Sequence, residues 1–263
     1  MAEQRVVDLP VGRFLARIAA PSDAEENSAV VTVFMVGQLE TNPRDTALLS
    51  LLTQVIKEPA FTTLRTREQL GYVVSASTMS FGTGKGSAAS TLAIHILSKT
   101  HSPPDVEERV KVFLAGFNET ILSLTDLDLA THQESLRTKL LEPPKQIAAE
   151  FAQWWGEIQY DDRYWDRYDA IASEMTSISR SDLSDFFLKI CVNPETRRQL
   201  SVHVHCASHP LEEGGKDAGP DTSEAKQTGE AIPGDVSPEL IDENWRSWQD
   251  RMPLFPAELE YEK

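Results

Sequence analysis

Pro59-Ala60-Phe61-Thr62-Thr63-Leu64-Arg65-Thr66-Arg67-Glu68-Gln69-Leu70-Gly71-Tyr72-Val73-Val74 joins the end of an amphipathic helix to the start of a strand. The helix before it opens with a clear signal. Asn42 can cap it, Pro43 suits the first helical position, and Asp45 falls three residues after the cap. Leu48, Leu51, Leu52, Val55 and Ile56 then recur at helical spacing, an apolar stripe that should pack on a sheet. Pro59 is expected to end it, because proline lacks the N–H that the next rung needs. Beyond the joint, residues 70–81 and 87–97 read as two strands of a hairpin turned at Gly82-Thr83-Gly84-Lys85-Gly86. That turn is glycine-rich and carries a lysine, but its spacing is not that of a phosphate-binding loop.

Working outward, residues 6–9, 13–19 and 29–38 are rich in branched and aromatic side chains and read as strands. The third is apolar on both faces, as a central strand would be. Residues 102–192 read as almost wholly helical. Ser102-Pro103-Pro104-Asp105 opens one helix, Thr125 with Asp128 and Ser179 with Asp182 cap two others, and Pro143-Pro144 separates a further helix carrying Trp154 and Trp155. The tryptophan pair is expected in the core; the alternative is a hydrophobic groove for a partner. Residues 199–206 alternate like a strand returning to the sheet. This pattern is α+β: a mostly antiparallel sheet with helices packed on one face, without the βαβα alternation of a doubly wound fold. Three segments are expected. Residues 1–207 form the main domain, 208–236 a flexible polar and acidic insertion too poor in apolar residues to repay ordering, and 237–263 a helix and extended tail docked on the body.

The chain has 263 residues, 40% of them hydrophobic and 25% charged, as in an ordinary globular protein. Its net charge of −16 would repel phosphate-bearing partners, so neither nucleic acid nor an anionic membrane is expected to bind. No apolar run approaches the roughly 20 residues of a membrane span, and the N-terminus leads into no signal-like apolar region, so a cytoplasmic location is expected. Cys191 and Cys206 are too few and too far apart for a disulfide framework and read as reduced core thiols.

Candidate chemistry is sparse. The six histidines form neither H-E-x-x-H nor H-x-x-E-H. His203 and His205 share one face of a strand and could bind metal only with a third ligand from elsewhere; satisfied strand histidines are the simpler reading. There is no nucleophile elbow and no catalytic-cysteine signature. Arg65 and Tyr72 remain, seven residues apart across the helix-to-strand joint. A permanently charged fork of donors and a neutral phenol aimed at one point can stabilise negative charge developing on a carbonyl oxygen. From spacing alone, the simpler reading is Arg65 in a surface ion pair, as with Glu68, and Tyr72 half-buried on the sheet. Gly71 is expected to let the backbone turn sharply.

The segment ending Thr63-Leu64-Arg65-Thr66-Arg67-Glu68-Gln69-Leu70-Gly71-Tyr72 resembles the arginine–tyrosine segment in the C-terminal half of insulin-degrading enzyme and its pitrilysin-type relatives. Arg5-Val6-Val7-Asp8-Leu9-Pro10, Leu141-Glu142-Pro143-Pro144-Lys145, Trp155-Gly156-Glu157-Ile158, Val202-His203-Val204 and Pro253-Leu254-Phe255-Pro256 resemble the same family, in the family's order. The resemblance implies the last of four homologous α/β-roll domains of a zinc metalloendopeptidase. It implies zinc in the full-length enzyme, held by a first domain and not by this chain. It further implies that Arg65 and Tyr72 reach a peptide substrate at that zinc site, bonding its backbone and helping to stabilise the tetrahedral intermediate. The expected partners are the peptide and a zinc-bearing N-terminal lobe, in the same or a separate chain. The resemblance covers only that last domain, so the chain alone is expected to be inactive. The alternative is a stand-alone, non-catalytic peptide-binding or scaffold domain.

Overall fold

The branched runs near the N-terminus become β1 (Gly12–Ala19) and β2 (Ser28–Gly37) in the computed structural model, which describes residues 6–39, 42–82, 88–159, 164–211, 235, 237–241 and 245–254. Then follow α1 (Pro43–Ala60), a π-helical segment (Phe61–Arg67), β3 (Val73–Phe81) and β4 (Ala89–Ser98). The helical stretch comprises α2 (Pro103–Ser123), α3 (Asp126–Leu140), α4 (Ile147–Gln159), α5 (Arg167–Met175) and α6 (Arg180–Phe187). A second π segment (Leu188–Val192) leads to β5 (Arg198–His205), and β6 (Glu239–Ile241) and α7 (Trp245–Arg251) close the described chain.

The strands form one sheet in the order β3-β4-β2-β5-β1-β6. The strand read as apolar on both faces, β2, is central and pairs antiparallel with β4 and β5, setting Val33 opposite Ala93 and Leu200. β3 and β4 are antiparallel neighbours, whereas β5 and β6 run parallel to β1. The α+β reading therefore holds. On one face the stripes of α1, α2 and α6 meet the sheet around Phe34, Leu52, Ile56, Ile94, Phe117 and Phe187, all essentially solvent-free. Each such side chain contributes on the order of 2 kcal/mol by leaving water. The opposite face is partly covered by α7, whose Trp248 meets Phe14 edge-on at 5.6 Å.

The expected caps are in place. Asn42 accepts from the Asp45 amide, Ser102 from that of Asp105, and Thr125–Asp128 and Ser179–Asp182 form reciprocal capping boxes. Three expectations fail. Residues 6–9 form no strand; Val7 makes a lone bridge to Leu254, and the Asp8 amide donates to the Pro253 carbonyl at 2.8 Å. Pro10 and Pro253 lack the N–H groups that would extend this ladder. Pro59 does not end α1, because the apolar stripe carries on through Ala60 and Leu64, both fully buried, and the helix widens into the π segment. Trp154 and Trp155 are not core: they are 38% and 47% exposed, on a helix with no buried residue among those whose burial is described. Trp155 stacks on Phe151 and Trp154 leans on Trp165, so these aromatics mainly shield one another.

All but Gly82 of the expected hairpin turn at residues 82–86, and nearly all of the expected insertion at 208–236, lie outside the described residues. Of the docked tail, Pro253 and Leu254 reach the body, and Phe255 and Pro256 again lie outside.

Candidate functional site

The joint between α1 and β3 is built by burial of alternate contacts rather than by one sharp turn. Ile56, Ala60 and Leu64 follow one another along the buried side of the helix, so Phe61 and Arg65 face outward. The π segment closes with the Glu68 amide donating to the Thr63 carbonyl at 2.9 Å and the Leu70 amide to the Leu64 carbonyl at 3.0 Å. Leu70 returns to the core at 1% exposure. The residue that reverses the chain is Gln69, in the left-handed region at φ 54°. Gly71 is not the hinge, contrary to expectation. A Cβ at Gly71 would stand 2.1 Å from the Leu97 carbonyl oxygen, so glycine is required because the joint presses directly against the β4 backbone.

Arg65 is exposed, with its guanidinium 4.8 Å from the centre of the exposed Phe61 ring. That contact restrains the side chain while leaving its donors free for another group. The expected pairing with Glu68 does not form. Glu68 lies instead 3.6 Å from Arg109 of α2, and burial pushes its carboxyl above the usual range, partly offset by the Arg109 charge. Tyr72 is 65% exposed and immediately precedes β3, so it is not half-buried on the sheet. Arg65 and Tyr72 thus stand at the two ends of one chain reversal, both open to solvent.

His203 and His205 take another course. They lie on the face of β5 that meets the helices, with His203 Nε2 3.0 Å from Glu107 Oε2 and His205 Nδ1 3.1 Å from the His209 carbonyl oxygen. Among the described residues no group of three or more His, Cys, Asp or Glu could hold a metal ion. Glu107 belongs to a buried polar cluster that the sequence reading missed. Its Oε1 accepts from Ser201 Oγ at 2.8 Å and faces Gln199 and Arg13, each at 3.3 Å. Burial pushes its carboxyl up, but contact with His203 and the charges of Lys111 and Arg13 outweigh that, bringing it down to about 2. Arg13 and Arg197, both buried, also hold Asp235 at 2.9 and 2.6 Å. The alternating polar set Gln199, Ser201, His203, His205 was the available signal, since a strand face so composed must meet polar partners when buried. Cys191 and Cys206 are free and buried, and burial pushes the Cys191 thiol far up.

With this geometry in hand, the likenesses to known proteins are informative. Residues 51–155 match the family model described as PQQ synthase PqqF-like, C-terminal lobe domain 4. The chain is 36% identical over 158 residues to the insulin-degrading enzyme of Drosophila melanogaster, an alignment covering 60% of this chain and 15% of that one. It is 32% identical over 158 residues to that of Homo sapiens, covering 59% and 15%. The fold superposes on the crystal structure of pitrilysin with a TM-score of 0.72 at 23% identity, covering 97% of this chain and 24% of that one. The chain therefore spans about 15% of the length of the insulin-degrading enzymes it matches.

Proposed function

We propose, for a chain homologous over about 60% of its length to insulin-degrading enzyme, that it serves as the C-terminal, non-zinc-binding domain of a zinc metalloendopeptidase. In this reading residues 1–207 form the roll, 237–263 dock on it, and Arg65 and Tyr72 are presented to a peptide held at a zinc site in another lobe. The carrying observation is the exposure of both donors on one reversal that Gly71 and the buried Leu64 and Leu70 hold in place. A guanidinium that cannot lose its charge and a phenol that keeps its proton at neutral pH both donate to oxygen. Placed at a scissile carbonyl, they would bond the peptide backbone and favour the oxyanion that develops there. Zinc would reside wholly in the partner lobe, since His203 and His205 are committed to internal contacts.

The test is peptide cleavage by this chain combined with a zinc-bearing lobe. Arg65→Ala and Tyr72→Phe are each expected to lower kcat by about 10²-fold, the effect of removing one oxyanion donor. Because both side chains are solvent-exposed, the melting temperature should not move. Full activity in both variants would overturn the role of these residues. Chelator-sensitive cleavage by the isolated chain would overturn the division of labour between lobes.

A further inference from the structure

The two edges of the sheet are unlike. β6 is three residues long and begins with a glutamate, which is how an edge is ordinarily kept from pairing with another chain. β3 is nine residues long, Val73-Val74-Ser75-Ala76-Ser77-Thr78-Met79-Ser80-Phe81, with no charge, proline or glycine. This lies in a chain whose charged fraction is 25%. Among the described residues no strand pairs with its outer side. Its last five residues are exposed, Met79 and Phe81 each at 38%. An edge of this length without any blunting device is a template for a further strand.

We infer that β3 is a binding site for an extended peptide, which adds to the sheet as a seventh strand. The inference rests on the proposed peptidase role and supplies the track along which the substrate would lie. Continuity selects this occupant over a second copy of the chain. Tyr72 directly precedes the strand and Arg65 precedes the same reversal, so a peptide bonded along β3 would run toward both donors. The net charge of −16 also opposes edge-to-edge pairing of two copies. The side chains indicate what the edge accepts. Ser75, Ala76 and Ser77 are small and impose little selection, whereas Met79 and Phe81 share one face and offer apolar contact to alternate residues of the incoming strand. The site therefore takes extended peptides by their backbone, with a preference for apolar residues at alternate positions toward the Phe81 end.

The probe is an insulin B-chain peptide with serine in place of cysteine, added to the full chain while amide exchange is followed. Bound peptide is expected to slow exchange at alternating amides within residues 73–81 by about tenfold or more. The same peptide N-methylated at alternate residues should lose that protection, because it keeps its side chains but not its backbone donors. Ser77→Lys, at an exposed position, should weaken binding about tenfold with an unchanged melting temperature. Peptide binding that leaves residues 73–81 exchanging as before, equal binding of the N-methylated peptide, or no binding at millimolar peptide would each overturn the assignment. Protection that rises with protein concentration in the absence of peptide would overturn it in favour of self-pairing. If Arg65→Ala weakens binding while β3 stays unprotected, the strand site falls and the role of Arg65 stands. If β3 is protected but Arg65→Ala and Tyr72→Phe leave both the affinity and, with a zinc-bearing lobe added, kcat unchanged, the strand site stands and their role falls.

Discussion

Gly71 shows how a residue readable as a turn former can be held for a different reason. Its missing side chain makes room for the Leu97 carbonyl, while the left-handed conformation falls on Gln69. Gly71→Ala should therefore destabilise by about 3 kcal/mol, as overpacking against an immobile backbone does, measured by denaturant unfolding. A loss below about 0.5 kcal/mol would mean that the joint yields. Glu107 makes a second prediction at this scale. Its carboxyl is depressed to about 2 in the folded protein, so its stabilising contribution is present above the ordinary carboxylate range and is lost as pH falls toward 2. Stability should fall through that window by on the order of 3 kcal/mol more in the native protein than in Glu107→Gln. Parallel acid-unfolding curves for the two proteins would remove Glu107 as the source.

At the scale of elements, α1 and α4 are the instructive pair. Proline is a strong local stop, yet α1 passes through Pro59 because Ala60 and Leu64 bury the next two steps of its stripe. Tertiary burial outweighs a single missing hydrogen bond. In α4 the opposite happens. Ile147, Phe151, Trp155 and Ile158 recur at helical spacing, which on its own reads as a core-facing stripe, yet all are exposed, Ile147 at 86%. Periodicity reports that a face is apolar, not that this chain supplies its cover. Phe151→Gln with Trp155→Gln should change unfolding free energy by less than about 1 kcal/mol, against about 3–5 kcal/mol for each such truncation in a packed core. A loss of core size would place α4 against the body after all.

Across the whole molecule, Asp235 ties the far end of the chain to the sheet. It meets two buried arginines, one on β1 and one just before β5, and β6 follows within a few residues on the outer side of β1. Asp235→Asn should cost about 3–5 kcal/mol, because it leaves buried guanidinium charge under-compensated, and should open residues 237–254 to proteolysis before global unfolding. An unchanged cleavage pattern would show that the β6 and α7 contacts suffice. Much of this architecture was legible beforehand. The caps at Asn42, Ser102, Thr125 and Ser179, the central position of β2 and the α+β class all follow from local hydrogen bonding and from periodic burial, which act over a few residues and leave their mark in the sequence. The resemblance singled out Arg65 and Tyr72 in the same way, from a contiguous run. Four features could be decided only by tertiary structure: Glu68 choosing Arg109, Gly71 yielding to Leu97, the exposure of α4, and the position of β3 at the edge of the sheet. Each depends on which distant backbone or side chain arrives opposite, and sequence periodicity carries the polarity of a surface but not the identity of what meets it.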